Sequence, residues 1–129
     1  MCVAFLNVSC WNETFYVTYD TIEEARADGA FRRGWLPEWL PEDAHTIHET
    51  HDLDTNVLAF SFSVLNADAF IWPPQCNPSD NFKGGYMRTK LFPKNLYELP
   101  NGKNCDGVFV VMDRQGVIHG SANGTGLKF

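Results

Sequence analysis

The sequence lacks the long apolar runs, the paired metal-binding cysteines and the excess of positive charge that mark several large protein classes. No stretch approaches the roughly 18 consecutive apolar residues of a transmembrane helix. No C-x-x-C pair is present, which argues against structural zinc. Ten Lys and Arg face 16 Asp and Glu, so the net charge is −6 and nucleic-acid phosphates gain few cationic contacts. We therefore expect neither a transmembrane segment nor a nucleic-acid partner.

The usual catalytic and phosphate-binding motifs are also missing. There is no G-x-S-x-G nucleophile turn, and Cys76 and Cys105 have no recognisable catalytic His/Asn context. The glycine-rich residues 120–126 lack the Lys-Ser/Thr pair and the helix that a phosphate-binding loop needs. The sequence predicts no cofactor and favours a binding protein over an enzyme.

The composition is that of one folded domain. The 129 residues are 44% hydrophobic and only 20% charged, so we expect a single globular domain over residues 1–129. Four cysteines, Cys2, Cys10, Cys76 and Cys105, permit two disulfides, but free thiols fit equally well. The sequence as written predicts a cytoplasmic protein. Residues 1–10 look somewhat like the end of a lipoprotein signal, and a missing upstream signal would instead place it in the periplasm or at the envelope.

The pattern of apolar residues predicts short strands and one helix. Strands are expected at residues 3–8, 15–19, 46–51 and 56–64, and the last alternates large apolar with small residues. Asp20 or Thr21 caps the helix, Glu24 stands three residues after Thr21 as a capping box needs, and Gly29 suits the left-handed exit of a helix.

The second half of the chain is less regular. Residues 72–107 are rich in proline and glycine and fit no continuous element, whereas residues 108–112 and 117–121 flank a turn and predict a hairpin. The predicted fold class is therefore α+β. It has a small, mostly antiparallel sheet, one firm helix near the N-terminus, and a long irregular segment before a C-terminal hairpin.

A four-residue repeat, Trp-Leu-Pro-Glu, occupies residues 35–38 and again 39–42. Prolines four apart prevent a long helix, so the repeat predicts a rigid aromatic turn. Two interpretations of Trp35 and Trp39 remain open. They pack a corner that anchors the next strand, or they form an exposed recognition surface.

Three of the four histidines lie within residues 45–54. His45, His48 and His51, together with Glu49 and Asp52, supply the nitrogen and oxygen ligands that zinc, manganese and iron prefer. On a strand, however, His48 and His51 point to opposite faces, and a polar strand followed by a turn is the competing interpretation. His119 offers a further histidine if the sheet brings it near.

Four stretches carry a family resemblance. They are Thr18-Tyr19 with residues 21–25, residues 34–41, Ala44 with Ile47, and residues 51–56. Over about residues 15–64 the chain resembles the YbbD head-domain family of small bacterial envelope proteins. The resemblance implies a compact α+β domain, often behind a lipoprotein signal, with no established activity, and it assigns no catalytic residue.

The functional prediction is a non-enzymatic binding or interaction domain whose partner is a protein, as in an inhibitor or immunity-like protein. It leaves the oligomeric state open. The alternative is a metal-binding protein or metal-dependent hydrolase using His45, His48 and His51. The predicted binding residues are Trp35, Trp39, Trp72, Asp52, Asp54 and Asn56.

Overall fold

The computed structural model describes residues 14–52, 57–79 and 94–122. The strand predicted at residues 3–8 lies outside these ranges, as does the middle of the irregular segment. The described residues form one antiparallel sheet of seven strands in the order β1-β2-β3-β7-β6-β5-β4. The strands are β1 Thr14–Thr21, β2 His45–Asp52, β3 Leu58–Ser63, β4 Cys76–Pro78, β5 Lys103–Cys105, β6 Val108–Met112 and β7 Ile118–Ala122.

The predicted α+β class with a firm helix is wrong, because the described chain is nearly all β. The helix, α1 Ile22–Ala27, has six residues and no partner helix. The other helical pieces are two 3-10 helices, Ala67–Ala69 and Lys94–Glu98. The irregular segment also supplies β4 and β5, which extend the sheet. Strands of three residues are too short to show the alternation by which a strand is predicted.

The helix signals were nevertheless correct in detail. The Thr21 hydroxyl accepts from the backbone N–H of Glu24, and the Glu24 carboxylate accepts from the N–H of Asp20. Gly29 adopts a φ of 84°, a conformation in which a side chain is strained. The helix is short because its exit follows within two turns, and it buries only Ile22 and Ala25.

Both faces of β3 are covered by other parts of the chain. Leu58, Phe60 and Phe62 belong to the main core, on the side of α1 and the Trp-Leu-Pro-Glu repeat. Ala59 points to the opposite face, where a smaller cluster contains Leu96 of the second 3-10 helix. The small residues of β3 therefore lie under a covering segment.

The C-terminal hairpin is confirmed. Strands β6 and β7 pair from Phe109 opposite Ser121 to Met112 opposite Ile118. The Asp113 carboxylate accepts from the N–H groups of Gln115 and Val117, which closes the turn.

Candidate functional site

The Trp-Leu-Pro-Glu repeat folds as two successive turns that lie on the sheet. The Pro37 carbonyl accepts from the N–H of Leu40, and the Pro41 carbonyl accepts from Ala44 in the same way. Both leucines of the repeat, Leu36 and Leu40, are buried in the main core. The two repeat units therefore adopt the same local geometry. In each unit the leucine is buried and the tryptophan is only half-buried.

Trp35 and Trp39 are half-buried and touch the core at different strands. Trp35 stacks on His51 of β2, with 3.8 Å between ring centroids. Trp39 makes edge contacts with Phe60 and Phe62 of β3, each at 6.2 Å. The predicted packed corner is therefore present, and the same two indoles retain exposed surface.

That exposed surface belongs to a cleft of about 520 Å³, here called the aromatic cleft. Residues 31–39 line one side, and the rest is lined by β3, β5, β6, the β5–β6 turn and Gln75. The residues that line the whole cleft are Phe31, Arg32, Arg33, Gly34, Trp35, Leu36, Pro37, Glu38, Trp39, Leu58, Phe60, Gln75, Cys105, Asp106 and Val108.

The floor of the aromatic cleft is apolar and covalently braced. Leu58, Phe60 and Val108 are buried beneath it. Cys105 forms a disulfide with Cys76, directly opposite on β4. The disulfide fastens the edge strand β4 to the cleft. Cys2 and Cys10 lie outside the described residues.

The rim carries separated charges. Arg32, Arg33, Glu38 and Asp106 are all exposed. The Arg33 guanidinium lies 5.0 Å from the Trp35 ring and donates to the Asp28 carbonyl. Within residues 14–52, 57–79 and 94–122, Arg32 makes no ion pair. The guanidinium groups lie on the side of residues 31–39, whereas Asp106 lies across the cleft, at the β5–β6 turn.

A buried acid and base lie beneath this side of the cleft. Glu49 is fully buried and His51 is 5% exposed. Their contact, from Glu49 Oε2 to His51 Nδ1, measures 2.6 Å. Burial, with the negative charge of Asp28, raises the pKa of Glu49 to about 8. Burial and then the Arg33 charge lower the pKa of His51. Between pH 6.5 and about 8 these shifts favour a neutral Glu49 carboxyl group that donates to Nδ1 of a neutral His51 imidazole.

The three histidines proposed as metal ligands do not come together. His48 is bonded to Thr18 on one face, His51 is buried on the other, and His45 contacts its neighbour Thr46. Among the described residues, no three His, Cys, Asp or Glu side chains are grouped to hold a metal ion. The alternation of a strand separates these residues, because neighbours three apart point to opposite faces.

His119 shares a sheet face with His48, but the two are not neighbours. Ser61 of β3 lies directly opposite both of them. The His119 Nε2 instead contacts the Asp113 carboxylate at 2.8 Å. This contact lowers the pKa of Asp113, as do the backbone N–H groups of the turn, although burial acts in the opposite direction.

The other predicted binding residues lie away from the aromatic cleft. Trp72 is half-buried and lines a separate pocket of about 420 Å³, where Lys103 lies over its ring. Asp52 ends β2, and its N–H donates to the Val57 carbonyl. Asp54 and Asn56 are outside the described residues. The structure thus joins Trp35 and Trp39 in one site and places Trp72 and Asp52 elsewhere.

Sequence reasoning missed the basic rim and the buried pair. Only Gly34 separates Arg32 and Arg33 from the first repeat unit, so their place in the sequence indicated that they lie near Trp35. Ile47, Glu49 and His51 alternate along β2, and a buried Ile47 implies that the other two also face the core. The cluster of charges in the sequence drew attention to metal chemistry instead.

Comparison with known families matches residues 13–63 to the YbbD head domain. The segment covers about two fifths of the chain and confirms the resemblance over that part. It contains β1, α1, the Trp-Leu-Pro-Glu repeat, β2 and β3, hence the aromatic side of the cleft and the Glu49–His51 pair. Neither a curated protein nor a solved structure matches the chain. Among the described residues, no helix is long and apolar enough to cross a membrane.

Proposed function

We propose that this protein, whose residues 13–63 match the YbbD head domain, is a non-catalytic binding domain that holds an extended, acidic segment of a protein partner in the aromatic cleft. One observation carries the proposal. Both tryptophans of the Trp-Leu-Pro-Glu repeat line the same concave surface over an apolar floor. Aromatic side chains above a desolvated floor are typical of the residues that dominate binding free energy.

The charge of the rim supports an acidic segment. Arg32 and Arg33 are exposed beside the indoles, and Arg32 has no ion-pair partner within the described chain. A planar guanidinium donates two parallel hydrogen bonds to one carboxylate. An Asp or Glu in the partner would meet these groups while its apolar neighbour enters between Trp35 and Trp39.

The remaining polar groups of the cleft support an extended backbone in the bound segment of the partner. Glu38 and Asp106 are acceptors on the lining, and Gln75 offers both a donor and an acceptor. A peptide in extended conformation presents backbone N–H groups at regular intervals, and these would donate to the two carboxylates. The cleft therefore offers partners for an acidic side chain, an apolar side chain and the backbone that joins them.

We also propose that the protein acts outside the cytoplasm. The Cys76–Cys105 disulfide supports this location, because such bonds persist in oxidising compartments. Alkylation of thiols in intact cells tests it. Cys76 and Cys105 should resist alkylation until a reductant is added, and rapid labelling of both without reductant would contradict the proposal.

Selection from a random peptide library displayed on phage tests the binding function. We expect enriched peptides that combine Asp or Glu with Leu, Phe or Trp. A fluorescein-labelled synthetic copy should bind about 30-fold more weakly to Trp39→Ala and to Arg32→Glu, as expected for central interface residues.

The chain offers matched controls. Trp72→Ala removes a half-buried tryptophan outside the cleft, and Arg114→Glu reverses an exposed arginine there. Both should bind the peptide as the wild type does. Equal weakening in the controls, the absence of any enriched peptide, or cleft binding of neutral oligosaccharides instead would contradict the proposal.

A further inference from the structure

The aromatic cleft rests on a buried pair that can exchange a proton. Glu49 and His51 lie two residues apart on β2, so both point into the core. They are 0% and 5% exposed, and a 2.6 Å contact joins them. The second oxygen of the Glu49 carboxyl group, Oε1, is buried without a hydrogen-bond partner. Among the described residues, His51 is therefore the side-chain partner on which the Glu49 carboxyl group depends.

His51 in turn supports Trp35. The imidazole stacks on the indole at 3.8 Å with 17° between the planes, and on Phe15 at 5.2 Å with 20°. The Arg33 guanidinium lies over the same indole. Trp35 thus contacts His51 inside the protein while it lines the aromatic cleft outside.

The charged and titratable groups around the pair come from several elements. Tyr19 of β1 donates to the Asp28 carboxylate at 2.6 Å, and this carboxylate disfavours a charge on Glu49. Arg33 disfavours a charge on His51, whereas Asp52 favours one. From β3 the pair meets Phe60, which lies opposite Glu49 in the sheet and offers no polar group.

We propose, on the premise that the aromatic cleft binds the partner, that Glu49 and His51 are positioning residues for Trp35 and that the one proton they share controls the cleft. With that proton present, the neutral carboxyl donates to Nδ1 and the neutral imidazole lies flat against the indole. Loss of the proton leaves a buried carboxylate, which His51 can satisfy only by changing tautomer and donating from Nδ1. The second oxygen, Oε1, is then a buried charge without a hydrogen bond, so the pair shifts toward water, the imidazole on which Trp35 stacks moves with it, and partner binding weakens.

The first test uses the protein without any ligand. The indole N–H resonance of Trp35, assigned by its absence in Trp35→Phe, is followed by two-dimensional NMR between about pH 6 and pH 9. We expect one transition above pH 6.5 in the wild type and none in Glu49→Gln, which keeps the shape of Glu49 but holds no titrating proton. Glu42→Gln, which alters an exposed carboxylate, should retain the transition.

Two results would overturn the inference. They are a Trp35 resonance that does not titrate, and one that titrates equally in Glu49→Gln. If Glu49→Gln fails to fold, His51→Phe serves instead. It preserves an aromatic stack while removing the shared hydrogen bond, so its Trp35 resonance should be independent of pH.

The second test measures binding of the selected fluorescein-labelled peptide at about pH 6 and pH 9. The affinity of the wild type should fall about five-fold or more, the lower range of typical coupling between sites, and that of Glu49→Gln should remain constant. A Trp35 resonance that titrates in a protein that binds no peptide would refute the binding function alone. Peptide binding that does not depend on pH in the wild type would refute the coupling alone.

Discussion

The Glu49–His51 pair predicts how the stability of the protein depends on pH. In the folded state burial raises the pKa of Glu49 from 4.5 to about 8 and lowers that of His51 from 6.5. Above pH 6.5 the folded pair binds one proton, on Glu49, because the pKa of His51 lies below 6.5. The unfolded chain loses its last proton, on His51, near pH 6.5. The pair therefore makes stability depend on pH above this value, because stability changes wherever the two states bind different numbers of protons.

In this range the stability falls as the pH rises. Above pH 6.5 the unfolded chain loses its remaining proton, while the folded pair keeps its proton up to a pH of about 8. Each pH unit of such a difference costs about 1.4 kcal/mol, so the free energy of unfolding falls by about 2 kcal/mol.

Urea denaturation at about pH 6.5 and pH 8.5, for the wild type and Glu49→Gln, measures this effect. In Glu49→Gln the pair of side chains at positions 49 and 51 binds no titrating proton above pH 6.5, whether the chain is folded or unfolded. Its contribution to the free energy of unfolding is therefore independent of pH in this range. The wild type should therefore lose about 2 kcal/mol more than the variant between the two pH values. An equal loss of unfolding free energy in the two proteins would refute the assigned protonation state, because the other titrating groups are common to both.

Three further predictions concern the scaffold. Cys76→Ser with Cys105→Ser opens a disulfide of sequence separation 29 and should lower the free energy of unfolding by about 3.6 kcal/mol of chain entropy, measured by urea denaturation against the oxidised wild type; an unchanged midpoint would contradict it. Gly120→Ala places a Cβ within the Phe60 ring and should cost about 1–3 kcal/mol, with a lower melting temperature as the readout; an unaltered melt would show that Phe60 is free to move. Thr21→Ala removes the helix cap and should cost about 1 kcal/mol by the same assay, and no loss would mean that the cap is dispensable.

Local signals predicted much of the fold, and pairing over long distances explains what they missed. The alternation of β3 and the Asp113 turn depend on neighbours in sequence, and both were predicted. The edge strands β4 and β5 have three residues each, so they acquire their identity only from partners far along the chain. Without them the sheet looked small and the short helix α1 seemed a major element.

The site was predictable to a similar degree. The repeat identified Trp35 and Trp39 as residues that act together, since one local geometry occurs twice. The sequence did not indicate that β6 and the β5–β6 turn would complete the cleft, because these parts lie about 70 residues further on. Glu49 and His51 were noticed as possible metal ligands. Their real relation required the knowledge that β2 buries the face they share.

The most direct test of the central claim is a binding titration of the selected acidic peptide against four proteins, the wild type, Trp39→Ala, Arg32→Glu and Trp72→Ala. The proposed cleft predicts saturable binding to the wild type and Trp72→Ala, with about 30-fold weaker binding to the other two. Equal affinity for all four would show that the peptide binds elsewhere and would contradict the assignment of the aromatic cleft as the site of partner recognition.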